Sequence, residues 1–209
     1  MKLSILICSL ESRTKELFSL VSSLCKQLDQ IPEYDSKGIL PVSIETYTFS
    51  DIEIVIATDK KQLKVGAKRN LLVNEAKGDY IAFIDDDDRI TPDYIELLLR
   101  GVDSGCDVIN FHVFYNPKVG KSKIVLYNLN YTDSELPHCY YRASNHLMCI
   151  KREVALKVPF ENIQKGEDSK FARRLKTVAK TQANIQKVLY YYDFDAEKTE
   201  TQRQVKRIK

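Results

Sequence analysis

Four consecutive aspartates, Asp85 to Asp88, directly follow the apolar run Tyr80–Ile84. We expect this run to be a buried strand, which would bring several carboxylates to one point on a rigid scaffold. Carboxylate oxygens are the ligands that Mg²⁺ and Mn²⁺ prefer, usually together with the oxygens of a substrate phosphate. The alternative is a solvated acidic turn that caps the helix expected near Pro92, since Asp is favoured at helix starts. One cap needs only one aspartate, and the surrounding sequence must decide between the two.

The elements that would position these aspartates alternate between strand and helix. We predict strands at Leu3–Ser9, Ile52–Ala57 and Tyr80–Ile84, helices at Thr14–Leu28, Val65–Ala76 and Pro92–Val102, and a loop containing Pro32, Gly38 and Pro41. Three strand–helix units in succession are typical of a parallel sheet with helices on both faces. Ligands bind such sheets at the carboxyl ends of the strands, and the four aspartates lie at such an end.

The second half of the sequence changes character. We predict a hairpin of strands Val108–Tyr115 and Lys123–Tyr131, further strands at His146–Ile150 and Ile185–Tyr192, and helices at Arg152–Lys157 and Ser169–Thr177. No internal repeat or low-complexity linker divides the chain. We therefore expect one domain at 1–198, with a nucleotide-binding half (1–110) and an acceptor half (111–198), followed by a polar, basic tail at 199–209.

Composition describes a chain that can bury a full core. The sequence has 209 residues, of which 44% are hydrophobic, and no apolar run approaches the roughly 18 residues that a membrane span needs. Five scattered cysteines in mostly apolar contexts favour reduced thiols in a cytoplasmic protein over a disulfide framework. Residues 1–100 carry 13 basic and 17 acidic side chains, whereas 101–209 carry 19 and 12. A basic second half suggests an anionic partner, or simply a solvated basic surface.

Several motifs resemble those of one enzyme family when they are taken in order. Glu53–Asp59, Val65–Asn70 and Ala76–Asp88 are similar to the acidic strand end, the Gly…Ala-Arg-Asn helix start and the Phe-Leu-Asp-x-Asp-Asp strand end of family 2 glycosyltransferases. Gly166-Glu167-Asp168 resembles the Glu-Asp motif that follows in that family. The resemblance implies an α/β protein of GT-A fold, with a mixed, mainly parallel sheet flanked by helices. It also implies an inverting enzyme, in which an acceptor hydroxyl displaces a nucleoside diphosphate from an activated sugar.

The resemblance assigns roles to the acidic residues. Asp87 corresponds to the ligand of an Mn²⁺ or Mg²⁺ ion that neutralises the leaving diphosphate. Asp85 or Asp86 would hold the ribose or a metal-bound water. Asp168 would be the general base, with Glu167 orienting it or the acceptor. The alternative for the Glu-Asp pair is two acidic residues at a helix N-terminus, which the helix dipole favours.

The nucleotide of the donor, a UDP-sugar by resemblance, has its own candidate residues. Ser9, Glu11 and Arg13 occupy the loop that flanks the base in this family, although Glu11 and Arg13 could equally be surface charges. Asp59 matches the second residue of an acidic pair whose first residue contacts uracil in this family. Thr58 occupies that first position here, so the identity of the nucleotide base stays open. Lys68 and Arg69 resemble the basic residues that approach the diphosphate in this family. The alternative is that both lie on a solvated face of their helix.

The acceptor site is less specific. His146 could border an acceptor pocket or be a core histidine. Family members often carry a later His that completes the metal site; this chain has none after His146, so Asp193, Asp195 or water would fill that place.

Basic residues around the presumed base, Arg173 and Arg174 among them, suit a polyanion. The candidates are hydroxymethylated bases in DNA, which some small phage enzymes of related type glycosylate, and a cell-surface polysaccharide or teichoic-acid-like polymer; we favour DNA slightly. Two hypotheses assign the chain to other classes of protein. One is a nucleotidyltransferase, which normally has a glycine-rich loop after the first strand; this chain has no glycine there. The other is a non-catalytic protein that binds a nucleotide-sugar or a polyanion.

Overall fold

The computed structural model of the protein describes residues 1–39 and 41–195. The predicted basic tail at 199–209 lies outside these residues. The strands are β1 Leu3–Leu10, β2 Glu33–Ile39, β3 Val42–Thr48, β4 Ile52–Asp59, β5 Tyr80–Asp85, β6 Arg89–Ile90, β7 Val108–Pro117, β8 Lys123–Asn128, β9 Ser134–Glu135, β10 Cys139–Ala143, β11 Cys149–Lys151 and β12 Gln182–Phe194. The helices are α1 Thr14–Leu28, α2 Val65–Glu75, α3 Tyr94–Val102, α4 Arg152–Leu156 and α5 Glu167–Val178, with a 3-10 turn at Glu11–Arg13.

These strands form one mixed sheet with a parallel centre. Its main path runs β2-β3-β4-β1-β5-β11-β7-β8-β10-β9, with β1 parallel to both β4 and β5. These three central strands are buried along nearly their whole length, as their continuous apolar sequences predict. The described part of the chain therefore confirms the expected α/β architecture.

The register of the central strands brings the sequence motifs to one edge. Leu10 pairs with Asp59, and Cys8 pairs with Asp85, so β1, β4 and β5 end at nearly the same level. Helix α2 packs against β1 and β4, and it also contacts α4, which in turn contacts α5. The start of α5 is thereby brought to the strand ends from the second half of the chain.

The segment with Pro32, Gly38 and Pro41 is not a loop, and that prediction is wrong. β2 and β3 form an antiparallel hairpin that extends the sheet beyond β4. All residues of β2 except the partly buried Ile39 are exposed, so the strand carries no apolar alternation from which it could be recognised.

The second half of the chain contains the predicted hairpin, in which β7 and β8 are antiparallel. The predicted strand His146–Ile150 begins later, at β11, because the preceding residues form a turn closed by the Met148 amide on the Asn145 carbonyl. β12 runs parallel to β7 and has register shifts between Ile185 and Tyr190. No helix in the described ranges is both long enough and apolar enough to cross a membrane. All five cysteines are free thiols, as predicted.

Candidate donor and catalytic site

One buried arginine joins the strand end to the start of α5. The Arg69 guanidinium, 4% exposed, donates to Glu167 Oε1 at 2.8 Å and to Asp85 Oδ1 at 3.1 Å. It also lies over the rings of Phe83 and Phe160, at 5.7 and 5.6 Å from their centroids. Residues far apart in sequence, predicted separately as donor-binding and catalytic, are thus held in a single cluster.

The charges of this cluster stabilise one another. Burial lowers the pKa of Arg69, but Asp85 and Glu167 outweigh that effect, so the pKa is raised overall. Burial raises the pKa of Asp85, yet the attraction of Arg69 and His146 holds it below its usual range. The pKa of Glu167 is raised, because burial there exceeds the opposing effect of Arg69. Asp85 therefore carries its charge firmly, whereas Glu167 is the more easily protonated of the two.

His146 lies beside this cluster with both ring nitrogens buried and no hydrogen-bond partner among the described residues. Its Nε2 is 4.0 Å from Asp85 Oδ2, and its ring meets those of Phe83 and Phe160 edge-on. A buried polar group without a partner is costly, which marks it as a candidate ligand contact. The prediction that His146 borders an acceptor pocket stays a prediction.

Arg13 draws together the first-loop and aspartate motifs. Its Nη1 is 2.6 Å from Asp86 Oδ1 and 3.1 Å from Asp87 Oδ2. The Ser9 hydroxyl donates to the other Asp86 oxygen at 2.7 Å. Asp86 is buried and both its oxygens have protein partners, whereas the Asp87 side chain is 38% exposed. The Asp85 side chain is exposed to a similar extent, 36%, although one of its oxygens accepts from the buried Arg69, so Asp85 and Asp87 both present carboxylate oxygens outward.

The environment of Asp87 fits a divalent ion held jointly with a diphosphate. Burial raises the pKa of Asp87 to about 6; Arg13 opposes this rise, and the neighbouring charges of Asp85 and Asp86 add to it. A carboxylate so placed is stabilised by added positive charge. No group of three or more His, Cys, Asp or Glu side chains suited to a metal occurs in the described residues. The carboxylate of Asp87 is of the kind that Mg²⁺ binds together with the phosphates of a substrate.

Asp88, the last of the run, has a structural contact that the sequence did not indicate. Tyr190 on β12 donates its hydroxyl to Asp88 Oδ2 at 2.7 Å, and the Asp193 backbone amide lies 3.2 Å from Oδ1. Burial and the repulsion of Asp85 raise the pKa of Asp88 well above its usual value. None of the four aspartates caps α3, whose N-cap residue is Asp93, so the helix-cap alternative is wrong.

Asp59 and Lys68 tie the ends of β4 and β1 together beneath the surface. The Asp59 carboxylate, 2% exposed, is paired with the Lys68 ammonium and accepts the Leu63 amide at 2.8 Å. Lys68 also donates to the Ser9 carbonyl at 2.7 Å. Both were predicted to contact the donor. Here they form a buried ion pair, which gives them a role in holding the site in shape.

A cleft of about 460 Å³ opens between α1 and the aspartate run. Its wall on the α1 side includes Lys15, Ser19 and Ser23, and its other wall includes Asp86 and Asp87. The volume lies within the range of small-molecule sites. The residues from α1 were not predicted, because their helical spacing marks only a solvated face. Glu11, by contrast, is exposed and 3.5 Å from the ammonium of Lys60.

Asp168 lies at the amino end of α5, next to the buried Glu167. One Asp168 oxygen accepts the Ser169 amide at 2.7 Å. Further along α5, Arg173 is exposed, whereas Arg174 donates to the Pro159 carbonyl at 2.6 Å. Both arginines were predicted to bind the acceptor, but Arg174 is held by this contact with a neighbouring loop.

The proposed substitutes for a missing histidine ligand have other contacts. Asp193 accepts from Arg89 at 2.5 and 3.0 Å and from the Asn116 amide at 2.8 Å. Asp195 is 3.2 Å from the Lys118 ammonium. If water is the remaining metal ligand, which was the third possibility, Asp193 keeps all of these contacts.

Comparison with known proteins agrees with these motifs. The family model described as glycosyl transferase family 2 matches residues 15–153. The putative glycosyltransferase EpsH of Bacillus subtilis (strain 168) is 38% identical over 69 residues, which is 33% of this chain and 20% of EpsH. The crystal structure of S. aureus TarS 1-349 in complex with UDP-GlcNAc aligns over 97% of this chain and 61% of that one, with a TM-score of 0.67 and 15% identity. A197 from STIV aligns over 93% and 87%, with a TM-score of 0.50 and 20% identity.

These matches differ in extent. The chain spans a fifth of the length of EpsH and 61% of the TarS chain. At 15 to 20% identity the structural likeness shows a shared fold. The match of the family model extends over well more than half of the described sequence, from the start of α1 to α4.

Proposed function

Because the chain belongs to glycosyl transferase family 2, we propose that it transfers a sugar from a nucleotide-sugar, a UDP-sugar in the first instance, to an acceptor hydroxyl with inversion. The observation that carries this proposal is the Arg69 bridge. It couples the strand end that presents Asp87 to the helix start that presents Asp168. A donor-binding carboxylate and a candidate base are thereby fixed on one rigid frame.

In the proposed reaction, the acceptor oxygen bonds to the anomeric carbon while the bond from that carbon to the diphosphate oxygen breaks. Asp168, in the first turn of α5, accepts the hydroxyl proton as the general base. Glu167, fixed by Arg69, holds the first turn of α5 in place. Asp87 would hold a divalent ion, whose charge offsets the negative charge that develops on the leaving diphosphate. Arg13 adds a fixed cation to the same region.

A uridine donor is supported by the likeness to a protein crystallised with UDP-GlcNAc. The buried Asp59 has its oxygens engaged by Lys68 and Leu63, so contacts to the base would come from the first loop instead. The contacts of Ser9 and Arg13 with Asp86 support our expectation that this loop approaches the ribose and diphosphate.

The acceptor divides into two candidates. The exposed Arg173 favours an anionic polymer such as DNA. Several neighbouring cations are engaged locally: Lys170 contacts Glu161, and Lys176 donates to the Tyr131 carbonyl. The Lys170–Glu161 pair offsets one positive charge of α5, and Lys176 keeps its charge but directs it at a backbone carbonyl. Fewer cations than the composition indicates are therefore available to phosphates, which favours a saccharide acceptor over DNA. A filter-binding titration with single- and double-stranded DNA at 50 and 200 mM salt separates them, since DNA binding must weaken steeply with salt.

Replacement of Asp168 by Asn tests the enzymatic role. We expect the variant to retain UDP binding and to lose roughly 10²–10⁴-fold in turnover, the usual contribution of a general base. Asp93→Asn, at the start of α3, is the matched control because it makes the same change at another helix N-terminus. Turnover of UDP-sugar by Asp168→Asn within threefold of the control would remove the assigned base.

A further inference from the structure

A second cavity, of about 180 Å³, lies in the acceptor half between β7, β8 and β12. Its polar lining consists of side-chain amides, two tyrosines and one histidine, with no Asp, Glu, Lys or Arg. This composition sets it apart from the cleft at the aspartate run, whose lining includes four carboxylates, one lysine and one arginine.

The amides come from three neighbouring strands and share one face of the sheet. Asn184 on β12 pairs with Asn110 on β7. The register of Val113 with Val125, continued along the antiparallel pair, places Asn128 on β8 opposite Asn110 as well. Directly paired residues project from the same face, so the three asparagines form a row across the strands.

A hydrogen-bond network fixes the orientation of this row. Asn110, 1% exposed, donates its amide to Gln182 Oε1 at 2.8 Å and to Asn184 Oδ1 at 3.1 Å. Its own oxygen accepts the Ser144 hydroxyl at 2.6 Å. Gln182 donates in turn to Asn128 Oδ1 at 2.9 Å. The buried members are thus satisfied, and they leave the exposed amide of Asn184 facing outward in a defined direction.

An irregularity in β12 interrupts its regular pairing with β7 at this point. The register with β7 shifts between Ile185 and Val188, opposite Phe111 and His112. Such bulges re-aim side chains and are common beside functional sites. Gln186 lies within this irregular stretch and lines the cavity, so the bulge adds one more exposed amide to the row.

The cavity lies near the candidate transfer site. Ile81 and Val108 both pair with Ile150, so β5 and β7 run side by side across β11 in a common register. That register places His112 at the level of Asp85, two strand spacings away, or roughly 10 Å. A bound molecule of more than one unit could therefore contact both places.

We propose that this cavity binds one neutral saccharide unit of the acceptor. Amide groups both donate and accept hydrogen bonds, as sugar hydroxyls do, and tyrosine rings offer apolar surface to the faces of a sugar ring. The absence of charged lining residues in this described cavity disfavours a phosphate or carboxylate. The volume is smaller than that of typical ligand pockets, which fits one ring rather than a polymer segment. This assignment rests on the proposed function only in calling the ligand an acceptor.

The test is saturation-transfer NMR with the uncharged methyl glycosides of glucose, galactose, mannose and N-acetylglucosamine at millimolar concentration. We expect at least one to give a signal that UDP does not displace. The double variant Asn184→Ala/Gln186→Ala should reduce that signal at least fivefold. Both residues are exposed, so the fold should tolerate the change; Asn162→Ala, another exposed amide, is the control and should leave the signal unchanged.

Two results would overturn the assignment: no signal from any glycoside on the wild type, or an undiminished signal on the double variant. UDP binding in the presence of Mn²⁺, measured on the same samples, reports the donor site separately. If the wild type binds no UDP but still gives a glycoside signal that the double variant loses, the proposed function is refuted and the assignment of the saccharide pocket is supported.

Discussion

Removal of the Arg69 guanidinium should destabilise the protein strongly, because it leaves buried charge unpaired. In Arg69→Met, Glu167 and Asp85 lose their shared cation, and the rings of Phe83 and Phe160 lose the group that lies over them. Breaking a buried pair from one side costs about 3–5 kcal/mol. For a chain of this length that corresponds to a fall in Tm of roughly 6–20 °C.

The assay is urea unfolding of four proteins: wild type, Arg69→Met, Glu167→Gln and the double variant. The double variant should be more stable than the sum of the single changes indicates, by about 1 kcal/mol or more, because its glutamine no longer needs a cation. Arg100→Met is the matched control. Arg100 pairs with Glu96 on the surface of α3, where such a pair contributes only about 0.3–0.5 kcal/mol.

A loss below about 1 kcal/mol in Arg69→Met would refute this reasoning, since it falls short of any buried-pair cost. Additive single changes would refute it as well. Either result would mean that Arg69 and Glu167 are not coupled and that α5 is held in place by other contacts.

Two further changes test the frame of the site. In the presence of EDTA, Asp87→Asn should have a higher Tm than the wild type. The difference in Tm should grow as the pH rises from about 4 through about 6. The reason is that a carboxyl whose pKa is raised in the folded state binds more protons in that state than in the unfolded one, so its deprotonation destabilises the wild type. A gap that does not change with pH would contradict the raised pKa. Gly66→Ala should lower stability by about 1–3 kcal/mol or more in urea unfolding, because its Cβ would lie 1.9 Å from the Glu161 carbonyl oxygen. Gly38→Ala, with open space around it, is the control, and equal losses in both would show that the close contact at Gly66 is not what matters.

The central strands and their motifs could be predicted from the sequence for a simple physical reason. β1, β4 and β5 are buried on both faces, so their apolar runs are continuous and end where polar residues begin. The hairpin of β2 and β3 could not be predicted, since β2 is exposed on both faces and extends the edge of the sheet. β2 contains Gly38 and lies between Pro32 and Pro41, and residues of these types are typical of loops.

The directions in which charged side chains point were not predictable in the same way. Lys68 and Arg69 lie on a helix with no separation of apolar and polar faces, because α2 is enclosed by the sheet on one side and by α4 on another. Periodicity therefore could not show that both cations point inward. The distinct contacts of Asp87 and Asp88 likewise depend on a turn and on Tyr190, a residue more than 100 positions away. The amide row required the order of β7, β8 and β12, which no local pattern contains.

The most direct test of a nucleotide-sugar site at the aspartate run is a thermal-shift titration of UDP and UDP-GlcNAc, with and without Mn²⁺, on wild type and Asp87→Asn. A ligand at 100 times its Kd stabilises the folded state by about 2.7 kcal/mol, which is roughly 5–11 °C in Tm. We expect such a shift for the wild type with Mn²⁺, and little or none for Asp87→Asn measured against its own ligand-free baseline. Equal shifts in both proteins, or no shift with either ligand in the wild type, would contradict a metal-assisted donor site at Asp87.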